Sequence, residues 1–299
     1  MAHPQQLHLV VPNLNGADYV AATLESLNAQ GEAVRWWFQD GASKDDSVEI
    51  ARRLARPGDE VRSEQDSGQP AAINAALADC GGEIIGYLNS DDLLLEGAAE
   101  TVLEAFAENP DADIVVGGVQ LIDASGKPTG DEHFGNLSSL ADSLDIYHFW
   151  FAEKHWVQPE VFFRRSLFEK VGGFHEDMYL AFDYDFWVRC FRHGAKVVRV
   201  PQLLAGFRLH DAQKSADAEA ASREVRDTAL RHLEDCWDQL PPIRRRLMRA
   251  RIDYDRYARG EGEEAGEPFF AMLGKNPLWA LNPWVRQRIG RSLSSKVGR

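Results

Sequence analysis

Four stretches of this sequence carry carboxylates and amides at spacings that chemistry can use. One is Asn89-Ser90-Asp91-Asp92, which directly follows the apolar run at residues 84–88. Adjacent carboxylates repel each other and are costly to desolvate; a divalent cation relieves both problems. Mg2+ and Mn2+ favour oxygen ligands and take one or two carboxylates together with substrate phosphates. The same pair equally suits the cap of a following helix. A second stretch is Gln39-Asp40-Gly41-Ala42-Ser43-Lys44-Asp45-Asp46, where Asp40 ends a strand and Gly41 permits a tight turn. A carboxylate presented there can accept a hydrogen bond from a nucleobase N–H or a ribose hydroxyl. Asp46 with Glu49 reads as a capping box. The third, Ser63-Glu64-Gln65-Asp66-Ser67-Gly68-Gln69 leading into Asn74, is by itself a polar loop with a glycine. In the fourth, Asp183 and Asp185 stand two residues apart, so on a helix they point in different directions. Asp185 is four residues before Arg189, the spacing of an ion pair along a helix.

Something must bring these groups together, and the pattern around them says what. Short apolar runs at residues 7–11, 34–38, 84–88 and 114–119 read as strands, and residues 60–63, after a Pro57-Gly58 turn, as a further short one. Helical patterns at residues 17–27, 47–54, 70–78 and 97–106 alternate with them. That alternation predicts an α/β fold with a mainly parallel central sheet covered by helices on both faces. Ligands of such sheets sit beyond the carboxyl ends of the strands, where Asn13, Asn15, Asp40, Asp66 and residues 89–92 fall. Residues 123–151 are irregular and read as a loop and helix insertion. Residues 161–163 predict a strand, 184–192 a helix, and 197–200 and 205–209 two closing strands. From residue 218 the pattern is helical, which divides the chain into 1–217, a catalytic domain, and 218–299, a helical extension.

Composition narrows the classes. The chain has 299 residues, 44% of them hydrophobic, enough for a sizeable core. Its formal charge of −14 excludes a general nucleic-acid binder, which needs a basic footprint. Cys80, Cys190 and Cys236 lie far apart and read as buried thiols of a reducing compartment. The apolar stretch at residues 7–12 is too short for a signal peptide, and no run is long enough to span a bilayer. The expected location is cytoplasmic. One local exception to the acidity is the end of the chain. After Glu267 there is no acidic residue, whereas Lys275, Arg286, Arg288, Arg291, Lys296 and Arg299 are basic. With Trp279, Leu281, Trp284 and Ile289 among them, this segment suits peripheral contact with an anionic membrane face. A helix packed on the acidic catalytic domain is the other reading, and Pro277 and Pro283 interrupt the amphipathic pattern.

The order of motifs resembles that of the family 2 glycosyltransferases, whose catalytic domain has the GT-A fold. The match runs through Val10-Val11-Pro12-Asn13-Leu14-Asn15, Asp40-Gly41-Ala42-Ser43-Lys44-Asp45, Glu64-Gln65-Asp66-Ser67-Gly68-Gln69 with Ala72-Ile73-Asn74, and residues 82–92. It continues through Gln158-Pro159-Glu160, Val171-Gly172-Gly173-Phe174, Asp183-Tyr184-Asp185-Phe186-Trp187 and Phe207-Arg208-Leu209-His210. It covers roughly residues 5–216 and is nearest to members that build bacterial surface polysaccharides.

The resemblance implies an inverting, metal-dependent transfer of a sugar from a nucleotide diphosphate donor, UDP-linked, to an acceptor hydroxyl on a glycan or lipid-linked saccharide. It implies donor contacts from Pro12, Asn13, Asn15, Asp40, Asp66, Gln69, Asn74, Asn89, Ser90 and Asp91. Asp92 and His210 would hold Mg2+ or Mn2+, Trp156 and Gln158 would begin the acceptor side, and Asp183 would be the base. Two departures stand out. Phe182 occupies a position where many members carry a second acid, and the first loop lacks the hydroxyl-bearing residues that some relatives use. A sugar-nucleotide nucleotidyltransferase could share such a sheet, but residues 13–16 lack the basic, glycine-rich phosphate loop it needs. An inactive GT-A scaffold is disfavoured by the joint presence of Asp40, Asp91, Asp92 and Asp183.

Overall fold

β1 (Leu7–Asn13) sends Leu7, Leu9 and Val11 to one apolar cluster and Val10 to another. That is the period-two alternation of a strand buried on both faces. The computed structural model describes residues 5–211, 213–214, 217–261, 266–282, 285–286 and 288–289. After β1 come α1 (Val20–Asn28), β2 (Val34–Asp40), α2 (Ser47–Leu54), β3 (Glu60–Ser63), α3 (Gln69–Asp79) and β4 (Ile84–Tyr87). Next are β5 (Leu93–Leu94), α4 (Ala98–Glu108), β6 (Ile114–Ile122), β7 (Pro128–His133), α5 (Leu140–Leu144), β8 (Val161–Arg164) and α6 (Arg165–Val171). The remaining elements are α7 (Phe182–Arg192), β9 (Val197–Arg208), α8 (Ala218–Asp235), α9 (Pro242–Ala258) and α10 (Phe269–Lys275).

One sheet runs in the order β3-β2-β1-β4-β8-β6-β9-β5, with β7 added to β6. It is parallel from β3 to β4, as expected; beyond β4 it is mixed, because β8 is antiparallel to both β4 and β6. One face carries α1 and α4, the other α3, α6 and α7. Val225, Ala229 and Leu233 of α8 and Met248 and Ile252 of α9 join the second face's cluster. The change at residue 218 is therefore one from sheet to helices, with the core running through it. A separate small cluster of Tyr254, Phe269, Met272, Trp279 and Val285 closes the chain.

Two expectations change. Residues 197–208 form one strand instead of two, with its register to β6 slipping near Gly118. Pro201 has no N–H to give the ladder, which accounts for the irregularity that reads as a break in sequence. Gly117 accommodates it: a Cβ there would lie 2.5 Å from Leu204 Cγ and 2.7 Å from the Gln202 carbonyl oxygen. Within residues 123–151, the irregular stretch contains strand β7, turned back on β6 by Asp123, whose carboxylate accepts from the N–H groups of Ser125 and Lys127. The three cysteines are buried free thiols. Among the described residues, no helix is long and apolar enough to cross a membrane.

Candidate active site

Strand register assembles the first part of the site. Asn13 pairs with Asp40 across β1 and β2, and Asp40 with Ser63 across β2 and β3, so three polar residues end their strands side by side. Asp40 is fully buried and accepts from Asn13 Nδ2 (2.8 Å), the Ser43 N–H (2.9 Å), Ser63 Oγ (2.7 Å) and Ser43 Oγ. Burial pushes its carboxyl up, but the bonds from Ser43, Ser63 and Asn13 outweigh that and hold it below the usual range. Asn15, at positive φ, accepts from the Lys44 N–H through Oδ1, tying the first loop to the second. The capping box of Asp46 and Glu49 does not form: the Asp46 side chain makes no cap bond. Asp45 does the local work, accepting from Ser47 N–H, and it also accepts from Ala17 N–H in the turn between β1 and α1. Beside this row, Gln39, Glu64, Asp66, Ser67 and Asn74 line an open groove of about 480 Å³.

The paired carboxylates diverge. Asp92 is 1% exposed; its oxygens accept from the Arg208 N–H (2.9 Å) and from Asn89 Nδ2 (3.3 Å). Burial first, then the charge of Asp91, pushes its carboxyl well above the usual range. The side chain of Asp91 is 28% exposed, and its Oδ2 lies 2.9 Å from His210 Nε2. Arg208 fixes this arrangement from the end of β9: its Nε donates to the Asp91 carbonyl, and its guanidinium lies over Tyr19. Gly16 lets the first loop approach, since a Cβ there would meet Asn13 Oδ1 at 2.3 Å and Ser90 Oγ at 2.9 Å. Among the described residues, no three His, Cys, Asp or Glu side chains are grouped to hold a metal unaided. One part-exposed carboxylate with an imidazole beside it fits a cation whose other ligands are substrate phosphates.

α7 separates its two acids. From Phe182 to Phe191 every residue is buried except Asp183, which is partly exposed. The N-cap position is Ala181, so Asp183 is not the cap; it accepts from the Tyr184 N–H at 2.7 Å. Burial raises the Asp183 carboxyl to about 6, against the opposing effects of its N–H bonds and of Lys214. Asp185 is fully buried between Arg189 Nε (2.7 Å), His232 Nε2 (2.8 Å) and His175 Nδ1 (3.1 Å).

Several expected site residues have other tasks. Asn74 spends its amide on α3's long-range contacts, donating to the Phe174 carbonyl and accepting from the Phe174 N–H. Trp156 is core, 1% exposed against Trp187 and Phe191, because an indole among aromatic rings is better buried than offered to an acceptor. Gln158 is buried, donating to the Tyr87 carbonyl. Gln69 bridges Asn89 Oδ1 and Lys214 Nζ. Trp279 is buried against Tyr254 and Tyr257, which removes it from any membrane surface. Trp284, Arg291, Lys296 and Arg299 lie outside the described residues. Sequence reasoning places Ser63 only in a polar loop and does not single out Lys214, Glu224 or His232. Only Ser63 had a signal, its place at a strand's carboxyl end; the other three act across distances that no local pattern encodes.

A sheet with carboxylates at its parallel carboxyl edge and a part-buried acid on a facing helix is the architecture of the GT-A fold. Residues 8–172 match the profile of Glycosyl transferase family 2, and the chain belongs to that family. It is 27% identical over 281 residues to the succinoglycan biosynthesis protein ExoU of Rhizobium meliloti, covering 80% of this chain and 81% of that one. A PGL/p-HBAD biosynthesis glycosyltransferase of Mycobacterium bovis is 28% identical over 207 residues, 67% of this chain and 74% of that one. S. aureus TarS 1-349 in complex with UDP-GlcNAc shares the fold, with a TM-score of 0.65 at 17% identity over 92% of this chain and 78% of that chain. A mannosyltransferase from Pyrobaculum calidifontis, in complex with GDP-Man and Mn2+, has a TM-score of 0.56 at 16% identity, covering 96% of this chain and 83% of that one.

Proposed function

We propose that this glycosyltransferase inverts the anomeric centre, moving a sugar from a UDP-linked donor to an acceptor hydroxyl in cell-surface polysaccharide synthesis at the inner face of the membrane. The observation that carries the mechanism is the contrast on α7: Asp183 is partly exposed, with its carboxyl raised by burial to about 6, while Asp185 is consumed by its partners. The acceptor oxygen attacks the anomeric carbon as its proton passes to Asp183, and the bond to the diphosphate oxygen breaks on the opposite face. A divalent cation bound with the donor supplies charge neutralisation for the leaving diphosphate. Asp91 and His210 are the groups that would hold it, and Asp92 is the buried brace behind them; this exchanges the two aspartates' expected roles. UDP linkage is supported by the fold shared with TarS, which binds UDP-GlcNAc, and polysaccharide synthesis by the likeness to ExoU. A panel of UDP-, GDP- and dTDP-sugars, scored for thermal stabilisation with Mn2+ or with chelator, tests this. UDP-sugars with Mn2+ should stabilise most; stabilisation by another base alone, or equal in chelator, overturns that part.

The exchange of roles has its own test. Asp91→Asn should abolish the Mn2+-dependent part of the stabilisation by UDP, whereas Asp92→Asn keeps most of it. The reverse pattern returns the cation to Asp92.

Membrane contact by the chain's end is supported by Phe270, Leu278 and Leu281, which are exposed on and after α10 beside Lys275. Phe270→Glu with Leu281→Glu should reduce sedimentation with anionic phosphatidylglycerol vesicles severalfold. Equal binding by wild type and variant rules this surface out.

A further inference from the structure

The loop from β9 to α8 carries His210 to Asp91, and four residues later it carries Lys214 into the space between the donor motif and α7. Lys214 Nζ donates to Gln69 Oε1 at 3.1 Å and lies 4.2 Å from the centre of the Tyr179 ring and 5.4 Å from that of Phe182. Gln69 Nε2 in turn donates to Asn89 Oδ1 at 2.8 Å, and Asn89 Nδ2 to Asp92. The charges of two carboxylates, Asp183 and Glu224, also act on the ammonium. Glu224, from α8, accepts from the N–H groups of Tyr179 and Leu180 at 2.8 and 2.7 Å, pinning the turn that leads into α7.

We propose that Lys214 is a positioning residue of the transfer reaction: its ammonium bridges the donor-side motif, through Gln69 and Asn89, to the Phe182 ring beside the base Asp183, and its charge favours the ionised carboxylate until an acceptor hydroxyl arrives. This rests on Asp183 being the base. The physical reason is a charge count. One ammonium acts on two carboxylates, and removing it leaves Asp183 under the charge of Glu224 with only N–H groups to offset burial. The Tyr87 phenol of β4, which feels the Asp183 charge, is itself pushed up by burial and by the charges of Asp183 and Asp92, so it stays neutral and cannot replace the ammonium. An ammonium is also a donor that can be lent. In the ground state it is satisfied by Gln69 and two aromatic faces, without a direct hydrogen bond to Asp183, so the carboxylate keeps its lone pairs for the incoming hydroxyl.

The test needs no substrate. In protein labelled with 13C at the aspartate carboxyl carbons, the resonance missing from Asp183→Asn belongs to Asp183, and its titration midpoint can be followed directly. Lys214→Met should raise that midpoint by roughly one pH unit or more, the scale for losing a nearby opposite charge. Lys214→Arg should leave it near the wild-type value, and Glu224→Gln should lower it. The acid limb of kcat/KM for UDP release from a UDP-sugar donor should follow the same order. An unmoved midpoint in Lys214→Met overturns the proposal even if the variant is slow, because a residue that only supports the loop would cost rate without moving the titration. If Asp183→Asn itself keeps full turnover, the base assignment has failed instead.

Discussion

Asp183→Asn should lose sugar transfer by roughly a hundredfold or more, the scale for removing a general base, while UDP and Mn2+ still stabilise the protein as they do the wild type. The expectation follows from where α7 begins. Its first turn meets the carboxyl edge of the sheet, and Asp183 is the one position of residues 182–191 left partly open to a ligand. Its carboxyl, raised by burial to about 6, is ionised at neutral pH yet still basic enough to take a proton. Turnover of the wild type should therefore fall as pH drops through about 6. Stability should move the other way. A carboxyl whose folded value lies above its unfolded value binds more protons when folded, so stability declines as pH rises from about 4 to about 6. At pH 7 the asparagine variant, which has no charge to bury, should be the more stable protein, by on the order of 2 kcal/mol. A dead but stabilised variant is the signature of a base held at a cost. Paired measurements of UDP release and urea unfolding at pH 5 and 7 read both effects; near-normal turnover in the variant would sink the assignment.

Much of this site is legible in sequence because strand ends and glycine turns are local. The edge formed by Asn13, Asp40 and Ser63 follows from three strands that end together, their register setting the residues side by side. The helix spacing of Asp185 and Arg189 likewise survives into a 2.7 Å contact. Adjacent acids are harder. Sequence places Asp91 and Asp92 together, but the turn after β4 sends one into the ladder of β9 and the other towards His210. That outcome depends on a strand more than a hundred residues away. Asn74 and Trp156 show a related difficulty: an amide or an indole near a site reads as a ligand contact or as core alike until its distant partners, Phe174 and Trp187, are known. The helical extension was legible as helices but not as part of the active region. Its Glu224 and His232 reach back to the turn before α7 and to Asp185, contacts that helical periodicity does not encode.

Those contacts make Asp185→Asn a strongly destabilising substitution. Asp185 is buried on the flank of α7 and binds three elements at once: Arg189 on its own helix, His232 on α8, and His175 in the turn after α6. Arg189 also donates to the carbonyls of Val171 and Gly173, so the carboxylate anchors a guanidinium that itself holds the end of α6. Burial opposes the charge of Asp185, but the bond from His232 and the charge and bond of Arg189 overcome it, and the carboxyl is lowered to about 2. An amide of the same shape retains one acceptor but leaves Arg189 buried without its counter-charge. Removing one partner of such a pair costs roughly 3 kcal/mol or more. The pH dependence fixes the cause. A lowered carboxyl stabilises the fold above its unfolded value, near 4, and loses that contribution as pH falls towards 2. The wild type's advantage over Asp185→Asn in urea unfolding should thus be constant from pH 7 to about 5 and shrink below about 4. A difference that stays flat into acid would mean that the carboxylate's shape, and not its charge, joins α8 to the base helix.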